Sequence, residues 1–223
     1  IFVKQFNNYI GLKIGANYAM LGYSDVYSKN ETQKRRNLSF NTNLWELSLS
    51  GYFNFFRFIP GVSGYNYTPY LSLGVGAFSY DPYAYLNGTK YFLRPLGTEG
   101  QGTAGRPAQY STMAMCIPVC VGYKQSINSN MNIFAEIGYR FTNTDYLDDV
   151  STTYAGTDAF PAGPDGQPTP AYYLQDRSYE TGAPIGIKDR QRGNSSQKDA
   201  YAIFHFGVSF NLTSYKCPKV PGQ

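Results

Sequence analysis

The chain is poor in charge, sulfur and histidine. Of its 223 residues, 15% are Asp, Glu, Lys or Arg, one is His and three are Cys. It also lacks a long apolar run. The longest, Met113 to Val121, is about half of the ~20 residues a spanning helix needs, which excludes a helical membrane protein. Three cysteines do not make a disulfide framework. Cys116 and Cys120 stand four apart in a strand-like segment, roughly 13 Å at 3.3 Å per residue, too far to bridge. No CxxC pair points to zinc. The net charge is +4, and basic residues cluster only at Lys34 to Arg36 and Lys188 to Arg192, which is little support for a nucleic-acid surface. The chain opens Ile-Phe-Val-Lys, with neither initiator Met nor signal peptide; we read this as a missing beginning, not as the mark of a cytoplasmic protein.

What is abundant is aromatic and small. Tyr (22), Phe (15) and Gly (23) favour strands and turns over helices. A chain that is 17% aromatic is not disordered. Period-two alternation then recurs in segment after segment. Between Tyr9 and Met20 the large residues are Ile10, Leu12, Ile14, Tyr18 and Met20, with Gly11, Lys13, Gly15 and Asn17 between them. Leu44–Phe55, Thr68–Phe78, Thr112–Tyr123, Met131–Arg140 and Tyr201–Leu212 repeat the pattern, and a short run covers Ile1–Phe6. That makes seven strands and no convincing helical period. Pro118 interrupts one of them in mid-course, where it removes a ladder donor and predicts a bulge or local break.

The connections alternate in length. Asn7-Asn8, Ile59 to Tyr67 and Ser126 to Asn130 are compact, whereas 24–37, 79–108 and 142–199 are long. Short and long loops segregating to opposite ends predict an all-β, up-and-down antiparallel barrel in a single domain spanning 1–223.

The polar face decides which way such a barrel turns. A soluble barrel crowds that face with Lys, Glu and Thr. Here it is Gly, Ser, Asn and Ala with a few charges, which suits a narrow interior where charges pair. The apolar face carries Trp45, Phe53, Phe55, Tyr123 and Tyr139 toward its ends, as in an interfacial girdle. The expectation is an eight-stranded transmembrane β-barrel of the bacterial outer membrane, with Ile14, Leu49, Leu73, Val119, Ile137 and Phe206 toward lipid and a first strand upstream of Ile1. Even strand counts are the rule for such barrels. The closing stretch His205 to Leu212 has the polar-Gly-alternating pattern of a terminal barrel strand.

Several stretches carry more than barrel constraints. Thr68-Pro-Tyr-Leu-Ser-Leu-Gly-Val-Gly-Ala-Phe78, Arg94-Pro-Leu-Gly-Thr-Glu-Gly-Gln-Gly102, Glu136-Ile-Gly-Tyr-Arg140 and Thr144-Asp-Tyr-Leu-Asp-Asp-Val-Ser-Thr-Thr-Tyr154, with Asp176-Arg-Ser178, Arg192-Gly193 and Cys217-Pro218, resemble the PorG-like family of Bacteroidota outer-membrane proteins. The resemblance covers about residues 36 to 218, and the insert from Thr157 to Pro170 looks like a lineage-specific elaboration. It implies a non-enzymatic outer-membrane subunit associated with type IX secretion, where it helps anchor a periplasmic ring. An accessory role in the barrel-assembly machinery is the rival implication.

Chemistry is sparse. His205 has no Ser or Cys nucleophile in a recognisable motif to serve, so no catalytic residues are assigned. Lys13, Glu46, Glu136, Arg140 and His205 are read as a charge network filling the lumen, in preference to a proton or ion path. Asp145, Asp148 and Asp149 lack the spacing of a calcium loop, and no metal or cofactor is expected. Gly97 to Gly102 has no strand–helix frame for a phosphate. The long loops carry Arg94, Glu99, Asp145, Tyr146, Leu147, Tyr172, Tyr173 and Arg177, offered as partner-binding residues in an ordered extracellular cap. The expected partners are the lipid bilayer and other outer-membrane or periplasmic subunits, with neither nucleic acid nor a small-molecule substrate. A small pore and an outer-membrane enzyme are the remaining, less favoured classes.

Overall fold

A computed structural model describes residues 1–212 and is an antiparallel all-β structure. Its wall follows the order β1 (Phe2–Gln5), β2 (Ile10–Ser24), β3 (Ser39–Asn54), β4 (Tyr67–Ser79), β7 (Met113–Ser126), β8 (Met131–Thr142) and β9 (Ala200–Phe210). The wall strands pair in sequence order, joined alternately by short turns and by the long connections. The long β2 and β3 pair over their whole length, from Ile10↔Phe53 to Ser24↔Ser39.

The sheet curls around a polar interior. Lys13 on β2 and Glu136 on β8 have three strands between them in the sheet, yet their side chains meet at 2.6 Å. Burial alternates with period two and is inverted relative to a soluble protein. On β3 the residues facing inward include Glu46, Ser48, Ser50 and Asn54, while Trp45, Leu47, Leu49 and Phe53 face out. Ile14, Leu73, Ile137 and Phe206 are likewise exposed, and Val119 is half-buried. No helix among the described residues is long and apolar enough to cross a membrane, which says nothing of crossing by strands.

Glycines let the interior face fill. Tyr52 lies opposite Gly11, Tyr70 opposite Gly122 and Phe134 opposite Gly207, each ring occupying the space a side chain on its cross-strand partner would take. A Cβ on Gly11 or Gly122 would fall within 2.3 Å of the tyrosine ring. This is aromatic coverage of a strand glycine, a device that pins register.

The two edges of the wall are unequal. β1 covers only Gly11 to Ile14 of β2, and no pairing joins β1 to β9 among the described residues. Six antiparallel steps separate these edges, so β1 and β9 run in the same direction.

Three details add to the expected strands and loops. The 79–108 stretch is not plain loop: it holds a hairpin of β5 (Tyr83–Leu86) and β6 (Thr89–Phe92), followed by the single-turn helix α2 (Leu93–Leu96). The hairpin turns at Asn87-Gly88, both with φ above zero (50° and 79°), the backbone that Asn-Gly favours. The other long loops are also structured, by α1 (Glu31–Arg36) and α3 (Pro170–Gln175), which are capped by Asn30 and Thr169 side chains. At Pro118 the expected disruption takes the form of a local break: the β4–β7 ladder lapses between Leu73↔Val119 and Gly76↔Cys116 and resumes in the same register, without a bulge. Cys217 lies outside the described residues.

Candidate functional site

Two polar constellations stand out, one inside the wall and one above it. Inside, strands β2, β3, β8 and β9 bring Lys13, Glu46, Glu136, Arg140 and His205 into the lumen as two clusters. Lys13 Nζ donates to Glu136 Oε2 at 2.6 Å and to Ser72 Oγ at 3.1 Å. Arg140 Nε donates to Glu46 Oε2 at 3.1 Å, and Glu46 also accepts from Tyr201 OH at 2.8 Å and Asn17 Nδ2 at 2.7 Å. His205 Nδ1 stands 3.6 Å from Glu136 Oε1, outside hydrogen-bond range. The free volume here is a cavity of about 10 Å³, room for about one water. At the short-turn end, Lys124 Nζ sits 4.6 Å over the Phe58 ring and 4.7 Å over Tyr52, an aromatic cage that sequence reading missed. The two clusters neutralise their own charges while Lys124 lies against rings, and no nucleophile–base pair is assembled among the described residues.

The three long connections fold together at the opposite end into a cap, and its interior is charged. Glu99 is fully buried in the turn after α2. Its carboxylate accepts from the backbone N–H of Ser151 at 2.9 Å and of Thr152 at 3.0 Å, from Thr152 Oγ1 at 2.6 Å and from Arg192 Nη1 at 3.2 Å. Arg192 also donates to the carbonyls of Asp149 (2.6 Å) and Gln175 (3.1 Å). Asp149, buried and with φ 65°, accepts from Thr98 Oγ1 and from Tyr110 OH, the latter at 2.7 Å. Tyr110 is stacked between Tyr80 and Tyr146, its ring 6.3 and 4.6 Å from theirs. The first loop joins through Arg36, which grips Asp25 by two bonds of 2.7 and 2.8 Å and donates to the Arg192 carbonyl at 2.5 Å. Gly193 is required here, since a Cβ on it would lie 2.6 Å from the Ser151 backbone.

Acidic groups outnumber their partners in this cap. Burial pushes the Asp148 carboxyl up to about 7, with the charge of Asp199 adding to the rise. Burial likewise carries Asp149 and Asp199 to about 6. No group of three His, Cys, Asp or Glu among the described residues is arranged to hold a metal ion.

The loop residues offered as partner contacts divide. Glu99, Asp145 and Leu147 are buried inside the cap and present nothing to a partner; Asp145 accepts from Ser151 Oγ at 2.5 Å, and Leu147 packs with Leu44, Phe78 and Tyr201. Their correction has one physical cause: a long loop that folds back on others needs its own core. Arg94, Tyr146, Tyr172, Tyr173 and Arg177 remain half-exposed. Asp25, Arg36, Thr98, Tyr110 and Arg192 were missed as cap-forming residues, because no local pattern marks side chains that meet across loops.

Together these features define an all-β protein with an inverted wall, apolar outside and charged within, closed above by a loop cap. The chain belongs to the family described as "Domain of unknown function (DUF6089)", whose model matches residues 6–160. Comparison with characterised proteins and with solved structures gave no match.

Proposed function

We propose that this chain is a non-enzymatic outer-membrane β-barrel, a subunit of a cell-envelope complex of the PorG-like kind associated with type IX secretion. The observation that carries the membrane reading is the belt of exposed apolar side chains around the wall. Ile14, Leu49, Leu73, Val75, Val121, Ile137 and Phe206 are each 45% or more exposed, while Glu46, Glu136 and Arg140 are 3% or less. In water such a surface aggregates; in hydrocarbon it is the favourable one. Aromatic pairs flank it on both sides, Tyr18 with Trp45 toward the cap and Phe53 with Phe55 toward the short turns. Trp45 to Phe53 is nine residues, the length that crosses a bilayer in a tilted strand.

The edges support an eighth strand. Backbone donors and acceptors left open in hydrocarbon each cost several kcal/mol, so β9 and the upper half of β2 need a partner. Because β1 and β9 are parallel, a strand between them runs opposite to both, as one further strand of an even-numbered barrel does, whereas the open upper half of β2 pairs with backbone running in β1's direction. A subunit role fits the same geometry: paired charges occupy the lumen, no catalytic set is assembled among the described residues, and the elaborated part is the cap. Fractionation of native membranes, followed by affinity purification and mass spectrometry, tests the proposal. Outer-membrane recovery with secretion subunits is expected. Recovery with barrel-assembly proteins would change the complex and keep the barrel; recovery in a soluble fraction would end the reading.

A further inference from the structure

Beneath the cap lies a cavity of about 140 Å³, roofed by the first and third long loops. Its mouth carries the exposed Tyr23 and Gln33, and its walls include the buried Leu38, Leu93 and Leu174. This is well below the ~300 Å³ of pockets that take drug-sized ligands, and ample for one small group. Five charged side chains line it: Asp25, Arg36, Asp148, Arg177 and Arg192.

Four of the five are already neutralised. Arg36 is held by Asp25 at 2.7 Å, Arg177 by Glu180 at 2.8 Å, and Arg192 by Glu99 at 3.2 Å with Asp149 at 3.9 Å. Asp148 alone among the lining charges makes no ion pair with any described residue. One of its oxygens accepts from the Val150 N–H at 2.9 Å. The uncompensated charge of the cavity is therefore negative and sits on a single carboxylate. A divalent cation favours a cluster of carboxylates, and no group of three His, Cys, Asp or Glu among the described residues forms one, whereas an organic cation needs one carboxylate and an apolar wall for its stem.

We propose that this cavity binds one ammonium or guanidinium group, paired with Asp148 and with its alkyl stem against Leu38, Leu93 and Leu174. The group is either a Lys or Arg side chain of a neighbouring subunit or a free small amine. The site depends on the cap geometry and not on which complex the barrel joins. Asp199, Arg36 and Arg192 are the charges facing Asp148: Asp199 raises its proton affinity and the two arginines lower it. Binding displaces the Asp148 proton, so affinity falls as pH drops through about 7.

The test is calorimetric titration of methylguanidinium chloride into the purified full chain, against a sodium chloride blank. Saturable binding is expected, about tenfold weaker at pH 6 than at pH 8. It should be lost in Asp148→Asn, which keeps shape, and in Val150→Phe, which fills the space and spares the carboxylate. Undiminished binding in either folded variant overturns the proposal, as does saturable binding of sodium acetate with none of methylguanidinium. Affinity purification of Asp148→Asn separates the two sources. Loss of co-purifying subunits identifies a partner's side chain; an unchanged set identifies a free amine.

Discussion

Glu99 and Arg192 stand 93 positions apart, yet Arg192 Nη1 donates to Glu99 Oε1 at 3.2 Å with neither side chain reaching solvent. The pair joins the second long loop to the third, and through the Arg192 carbonyl it engages Arg36 of the first. Three loops that share no hydrogen-bonded strand pair are thereby held as one body. Removing one member of a buried pair typically costs about 3–5 kcal/mol, because the other is left charged and unmatched. Arg192→Met is the more damaging change, since Glu99 and Asp149 both lose their cation. Hydrogen exchange should show the 143–199 amides opening faster in Arg192→Met, and less so in Glu99→Gln, with strand amides unchanged. Equal exchange in all three proteins would mean that the cap is held by its packing alone.

The wall makes the opposite demand. Leu49 and Ile137 point outward near the middle of their strands. Arg at either should destabilise the barrel by about 2–4 kcal/mol if that face meets the bilayer midplane. Equilibrium unfolding by urea in lipid vesicles reads this directly. A cost below about 0.5 kcal/mol, as on a water-facing surface, would contradict the membrane reading.

Inside, Lys13 and Glu136 form a buried pair with no other strong charge partner for Lys13. Glu136→Gln should therefore destabilise by several kcal/mol, through the uncompensated ammonium. The same packing argues against conduction, since the cavity beside this network is about 10 Å³. Planar bilayers containing the protein should show no stable open channel. A steady conductance from the unmodified protein would mean that the lumen network opens.

How far the sequence foretold this differs between wall and cap for a physical reason. A wall strand is written into period two, so Leu49 and Glu46 could be assigned to opposite faces without knowing their neighbours. Cross-strand fit was visible too, with hindsight, in the glycines opposite Tyr52 and Tyr70. The β5–β6 hairpin was legible from Asn87-Gly88 between aromatic runs, and a long-loop reading overlooked it. Asp25 with Arg36, or Glu99 with Arg192, carried no such signal. Their encounter depends on three loops arriving together, which no local spacing encodes. The same blindness made Glu99 and Leu147 look like surface residues.

The cap should respond to pH in the direction set by its carboxyls. Burial raises Asp148 to about 7 and Asp149 and Asp199 to about 6, against about 3.9 in an unfolded chain. A raised folded value means that folding takes up protons. The contribution of these groups is complete below the unfolded value and is lost as pH climbs through 6 and 7. Limited proteolysis within 143–199 should accelerate as pH rises from about 4 to about 7 and level off above that. Asp148→Asn should flatten the profile. Acceleration toward acid instead would show that the raised carboxyls do not govern the cap.

The surface of the cap is where a partner contact is to be sought, now that Glu99, Asp145 and Leu147 are known to lie inside. Tyr172, Tyr173 and Tyr179 form a connected aromatic group, with ring centroids 5.6 and 5.8 Å apart, beside the Arg177–Glu180 pair. Tyr179 is 38% exposed, and Tyr172 and Tyr173 are half-buried on α3. Tyrosines with an arginine at hand are the residues that concentrate binding energy at protein interfaces. Replacing residues 144–154 would be the wrong probe, because Ser151 and Thr152 hold Glu99 and the whole cap would unlock. Tyr173→Ala with Tyr179→Ala trims the surface and leaves that interior intact. Loss of two hot-spot tyrosines, about 2 kcal/mol or more, should weaken partner recovery roughly thirtyfold while the chain remains folded. Recovery of the same partners in the same amounts would move the functional surface to the short turns at the other end.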